Sequence, residues 1–113
     1  MIKIYHNPRC SKSRETLNIL SEKGVEVEVI EYLKQPLSLD ELETIHQLLG
    51  LPLESMVRTK EDVFSSLKID LESPKSVFKA IQENPILLER PIVLKGKRGV
   101  IGRPPENVLE LFK

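Results

Sequence analysis

Cys10 is the only cysteine among 113 residues, and its neighbours favour a nucleophile over an inert thiol. It follows a strand-like run and opens a helix-like one, where free backbone N–H groups and the helix dipole stabilise negative charge. A thiol so placed is acidified toward the thiolate, the reactive form. Arg9 and Lys12 flank it, and Arg14 lies one helical turn on, on the same side. His6 can add a positive charge or a hydrogen bond, and Ser13 can offer its hydroxyl to the sulfur. A lone cysteine is more often a buried hydrophobe, but Pro8, Arg9, Ser11, Lys12 and Ser13 provide no apolar face to bury it against. The spacing Cys10-x-x-Ser13 rules out self-resolution. Any intermediate on Cys10 has to be resolved by an outside thiol, such as glutathione or a second redox protein.

The elements that must position this cysteine read as follows. Ile2 to Tyr5 alternates like a short strand and His6-Asn7-Pro8 breaks it. A helix then carries Leu17, Ile19 and Leu20 and closes at Glu22-Lys23-Gly24. Val25 to Tyr32 alternates again, so strand, helix and strand form a βαβ unit with parallel pairing. Ser38 and Glu41 make a capping box for a helix ending at Gly50. One or two short helices fit Leu53 to Leu67, and another runs from Ser73-Pro74 to Asn84-Pro85. Arg90 to Leu94 reads as a strand, Lys95 to Gly99 as a turn, and Val100-Ile101 as its antiparallel partner. Pro104-Pro105-Glu106 opens a terminal helix. The order β-α-β, helical insertion, β-β-α is that of an α/β, thioredoxin-like fold. Residues 1–113 form a single domain in this reading, with the insert at about 38–85.

Charge sharpens the picture. The chain carries 17 basic and 17 acidic side chains and no net charge, which argues against a nucleic-acid binder or a polybasic membrane-surface protein. Yet residues 1–14 carry +4, residues 90–105 carry +5, and the middle carries −8. The two basic blocks could meet in space to receive an anion. A single cysteine excludes a disulfide scaffold and implies a reducing, cytoplasmic setting. The first residues are too short and polar for a signal peptide, and no apolar run approaches the ~20 residues of a membrane span. His6 and His46 with one cysteine have no metal-ligand spacing, so no metal is expected. His46 reads as an exposed helical residue, and Lys95, Lys97 and Arg98 as solubilising residues of a turn.

His6-Asn7-Pro8-Arg9-Cys10-Ser11-Lys12-Ser13-Arg14, Glu89-Arg90-Pro91-Ile92-Val93 and Gly102-Arg103-Pro104-Pro105-Glu106 together resemble the signature of glutaredoxin-coupled arsenate reductases, the ArsC-type family, in its short Cys-x-x-Ser branch. The resemblance implies that Cys10 attacks arsenate, and that Arg58, Arg90 and Arg103 hold the oxyanion. It implies that His6 helps keep the thiolate ionised, that the Ser13 hydroxyl contacts the sulfur, that Arg14 supports the site, and that Pro91 is a cis-proline beside the cysteine. Glutathione would be the reducing co-substrate and glutaredoxin the partner of a monomeric enzyme with no bound cofactor. Two other readings compete: a monothiol oxidoreductase acting on glutathione mixed disulfides or another oxidant, and an Spx-like RNA polymerase-binding regulator. Such regulators usually carry Cys-x-x-Cys, whereas this chain has Ser13 at the second position.

Overall fold

The computed structural model describes residues 2–113. The chain divides into two compact units, one running to Gln35 and resuming at Arg90, the other spanning Pro36–Glu89.

The first unit is built on a four-stranded sheet of order β2-β1-β3-β4. Its strands are β1 (Ile2–Tyr5), β2 (Val27–Ile30), β3 (Ile92–Lys95) and β4 (Arg98–Ile101). β1 pairs parallel with β2 and antiparallel with β3, and β3 pairs antiparallel with β4. Helix α1 (Ser11–Glu22) makes the crossover between β1 and β2. β2 is shorter than the alternation over 25–32 predicts, because Glu31 O accepts the N–H groups of Lys34 and Gln35 and turns the chain. The β3–β4 turn is only Gly96-Lys97, with Lys95 opposite Arg98; Gly96, at φ +60°, supplies the left-handed conformation that tight hairpins need. Arg98 is therefore a strand residue. Its guanidinium donates to Glu110 O at 2.7 Å and Lys113 O at 3.2 Å, holding down the terminal 3₁₀ helix Pro105–Phe112. Lys95 lies over the Phe112 ring. Both residues thus have packing roles beyond solubility.

Ile2, Ile4, Leu20, Val93, Val108 and Leu111 form this unit's apolar core. The inward stripe of α1 is Ser13, Thr16 and Leu20, while Leu17 and Ile19 are only half-buried. Two of the three inward positions are polar. That placement serves the site rather than the core.

In the second unit, α2 (Leu39–Leu49) starts at the Ser38–Glu41 capping box and stops at Gly50, whose φ is +63°. It packs against α4 (Pro74–Glu83), which opens with Ser73 accepting from Ser76 N–H. Between them lie a 3₁₀ turn, Leu53–Met56, and the short α3 (Asp62–Ser66). His46 is half-buried rather than exposed, because its ring meets Phe78 edge-on and its Nε2 bonds Leu51 O at 3.1 Å.

Candidate active site

Sheet register explains why residues 80 or more positions apart meet. Tyr5 stands opposite both Ile30 and Ile92, and Ile92 opposite Ile101. One row across the sheet therefore holds the end of β1, the start of β3 and the end of β4. The chain leaves that row into the Cys10 loop, arrives at it from Arg90, and leaves it again into Gly102-Arg103. Three functional segments share one edge.

The Cys10 loop folds on itself. His6 N–H donates to Ile30 O at 2.8 Å, Cys10 N–H to Asn7 O at 3.0 Å, and Arg9 N–H to Asn7 Oδ1 at 3.0 Å. The last is an Asx-type turn, a local bond for which asparagine is well suited. Arg14 clamps the outside by donating from Nη1 to Pro8 O at 2.9 Å. Beneath the loop, the buried Ser13 hydroxyl accepts from Asn7 N–H at 3.1 Å and shares a 2.6 Å hydrogen bond with His6 Nδ1. Cys10 is the N-cap of α1, and the first turn of α1 carries no acidic side chain.

One expectation changes in this loop. The Ser13 hydroxyl is occupied by His6 and Asn7, and Ser13 faces the sulfur through its backbone N–H instead. Burial holds the His6 imidazole below its ordinary pKa, against a smaller upward pull from Glu31, with Arg14 adding to the fall. The neutral imidazole is thereby favoured. It braces the loop by a hydrogen bond, one of the two roles the sequence allows it.

Burial pushes the Cys10 thiol up, but the opposing effects win and its pKa is lowered. The Ser13 N–H lowers it, the Arg90 guanidinium does so by hydrogen bond and by charge, and the Lys12 N–H adds to them. No formed cap bond to the neutral thiol is present. The N–H groups lie close enough to favour the thiolate once it forms. Arg103 Nη2 also reaches the sulfur, at 3.5 Å. The two guanidiniums act differently: Arg90 is half-buried and Arg103 exposed, so water screens Arg103 more, and of the two it is Arg90 that lowers the thiol pKa. Both arginines precede cis-prolines, Pro91 and Pro104.

Arg103 is held from behind. Its Nε donates to Arg90 O at 2.7 Å, and Asn107 Nδ2 donates to Arg103 O at 3.0 Å and Ile101 O at 3.2 Å. Gly102 N–H donates to Pro91 O at 2.9 Å. A Cβ on Gly102 would lie 2.6 Å from Thr16 Oγ1 and 2.8 Å from Pro91 Cγ. Only glycine fits there.

Arg58 lies in the second unit, where its guanidinium meets Glu61 at 3.1 Å and Glu89 at 3.3 Å. Sequence reasoning missed Asn7, Thr16, Gly102 and Asn107. Asn7 before Pro8 was a readable turn signal; Thr16 and Gly102 act through contacts distant in sequence, and Asn107 through carbonyls four and six residues back that no motif marks. Among the described residues no group of three His, Cys, Asp or Glu is placed to hold a metal ion, and no helix is long and apolar enough to cross a membrane.

The ArsC family model matches residues 5–111. An arsenate reductase of Haemophilus influenzae is 49% identical, with 96% of this chain and 97% of that protein covered. A protein of Escherichia coli K12 named only YfgD, of uncharacterised role, is 47% identical, with 97% and 95% covered. A solved arsenate reductase of Vibrio cholerae superposes with a TM-score of 0.91 at 43% identity, with 97% and 96% covered. The α/β architecture is the thioredoxin-like one of these neighbours.

Proposed function

The chain belongs to the ArsC family, and we propose that it reduces arsenate to arsenite through a Cys10 thiolate–arsenate intermediate, using glutathione and glutaredoxin. The observation that carries this reading is the convergence of Arg90 and Arg103 on a sulfur at a helix N-terminus. A tetrahedral, multiply charged oxyanion would be repelled by a bare thiolate. Planar guanidiniums bind such oxygens through paired donors and neutralise them beside the nucleophile. Arg58 enters as a third oxyanion ligand on family likeness alone.

The chemistry runs in four steps. The Cys10 thiolate attacks arsenic, a protonated oxygen leaves as water, and a sulfur–arsenic(V) ester remains. Passing to arsenic(III) takes two electrons, and one cysteine returning to its thiolate supplies none. Two outside thiols must therefore end as a disulfide. Glutathione attacks arsenic and displaces a second protonated oxygen as water. Glutaredoxin's thiolate takes the glutathione sulfur as a mixed disulfide, leaving its bonding pair on arsenic(III). Water then replaces the Cys10 sulfur and arsenite departs. In sum, arsenate and two thiols give arsenite, a disulfide and water. The reaction suits a monomer in a reducing cytoplasm.

The test is a coupled assay with arsenate, glutathione, glutaredoxin and NADPH-driven glutathione reduction. Arsenite should form, and Cys10→Ser should lower turnover by at least ~10³-fold, as loss of a nucleophile does. If no arsenite forms while Cys10 still takes up glutathione, the arsenate reading falls in favour of mixed-disulfide exchange.

A further inference from the structure

We propose that Asn107 is a positioning residue that sets Arg103 against the Cys10 sulfur and thereby tunes how the site receives an anion. Its bearing on arsenate rests on the function proposed above; its bearing on Arg103 does not. The segment after β4 has three consecutive tasks. Ile101 must finish the sheet, Gly102 must pass against Thr16 and Pro91, and Arg103 must turn its guanidinium toward the sulfur. Arg103 N–H already donates to Ile101 O at 2.9 Å, a tight reversal. The amide of Asn107 then bridges the carbonyls on either side of Gly102, at 3.2 and 3.0 Å. Its own N–H donates to Pro104 O at 3.0 Å, so it is anchored in the first turn of the terminal 3₁₀ helix.

This staple fixes the backbone from which Arg103 departs, and the Nε bond to Arg90 O fixes the far end of the side chain. Only an amide at this length gives two donors to two carbonyls. Aspartate has the same shape but, ionised, can only accept, so it would face both carbonyl oxygens without a hydrogen to share. The hydrogen bonds of the side chain go to these two backbone carbonyls and not to the sulfur. Its effect on the site passes through Arg103.

The experiment compares alkylation of Cys10 by iodoacetate and by iodoacetamide in the full chain at one pH. The neutral reagent reports how much thiolate is present; the ratio of the two rates reports the positive charge that the anion meets. Arg103→Gln should lower that ratio about two- to fivefold, the size an exposed charge pair supports. Asn107→Leu and Asn107→Asp should lower it similarly, with the iodoacetamide rate little changed. In the Arg103→Gln background Asn107→Leu should lower it no further. A ratio unmoved by Asn107→Leu, or equal further losses in both backgrounds, would overturn the proposal; so would a ratio that ignores Arg103→Gln. If Asn107→Leu does not fold, Asn107→Ser gives the same readout with a smaller change in volume. Arsenate turnover is measured separately, so failure of the arsenate reading leaves the alkylation ratio decisive.

Discussion

Two loops bring charge and sulfur together at one edge of the sheet, and they are held by different means. The His6–Cys10 loop is fixed by short-range bonds: Asn7 to Arg9 and Cys10, Ser13 to Asn7 and His6, Arg14 to Pro8. The Gly102–Pro105 loop has a local staple from Asn107 but also depends on shape and on partners far along the chain, Thr16 and Pro91 against Gly102 and Arg90 O against Arg103. The first needs nothing beyond the first thirty residues, its longest bond running from His6 N–H to Ile30 O. The second exists only when the unit is assembled. One loop makes the thiolate available, and the other decides what approaches it.

A single methyl should break the second loop. Gly102→Ala forces a methyl against Thr16 and Pro91 and should destabilise the protein by about 1–3 kcal/mol, the usual cost of overpacking. Urea unfolding would measure it. The same change in a Thr16→Ala background should cost at least ~0.5 kcal/mol less, because the closest clash is gone. Equal costs in the two backgrounds would mean that the loop is not held by that contact.

Breaking the first loop should separate stability from reactivity. Ser13→Ala strands the Asn7 N–H and removes the His6 bond, at about 1–3 kcal/mol. The Ser13 backbone N–H stays, so the pH midpoint of Cys10 alkylation should move little. A large upward movement would instead place the hydroxyl at the sulfur.

The smallest effect separates the two arginines. Alkylation of Cys10 should titrate below an ordinary thiol, and Arg90→Gln should move its midpoint up further than Arg103→Gln does. The linkage has a definite sign. A thiol whose folded pKa is depressed contributes stability above its unfolded pKa, and that contribution fades as pH falls through the folded value. Arg90→Gln should therefore flatten the alkaline limb of the stability profile, and a reversed order of the two variants would undo the division of labour between them.

The succession of strands and helices along the chain, the capping box at Ser38, the stop at Gly50 and the cysteine at a helix start were all legible in the sequence, since each depends on residues a few positions apart; the pairing of β1 with β3, which sets the order of the sheet, was not. Nor was the inward stripe of α1. Ser13 and Thr16 are polar, so apolar periodicity points to Leu17 and Ile19, while burial falls on Ser13, Thr16 and Leu20. Motif likeness located Arg90 and Arg103, but it gave Ser13 a hydroxyl contact that His6 and Asn7 occupy. Gly102 reads as a plain glycine before Arg-Pro; its necessity lies in a helix almost ninety residues earlier. His46 reads as surface because Phe78 and the carbonyl of Leu51 cannot be seen from its neighbours in the chain.

The central position of β1 carries a consequence for biosynthesis. β1 gains its parallel neighbour within the first thirty residues, yet its antiparallel neighbour lies beyond the whole 36–89 segment. At about 5–20 residues per second, a ribosome needs seconds to reach β3. During that interval the nascent chain holds a helix-start thiol without Arg90 or Arg103 beside it. Capacity to attract an anion therefore appears last, together with closure of the sheet, and an incompletely translated chain carries a cysteine not yet provided with the charges that select its partner.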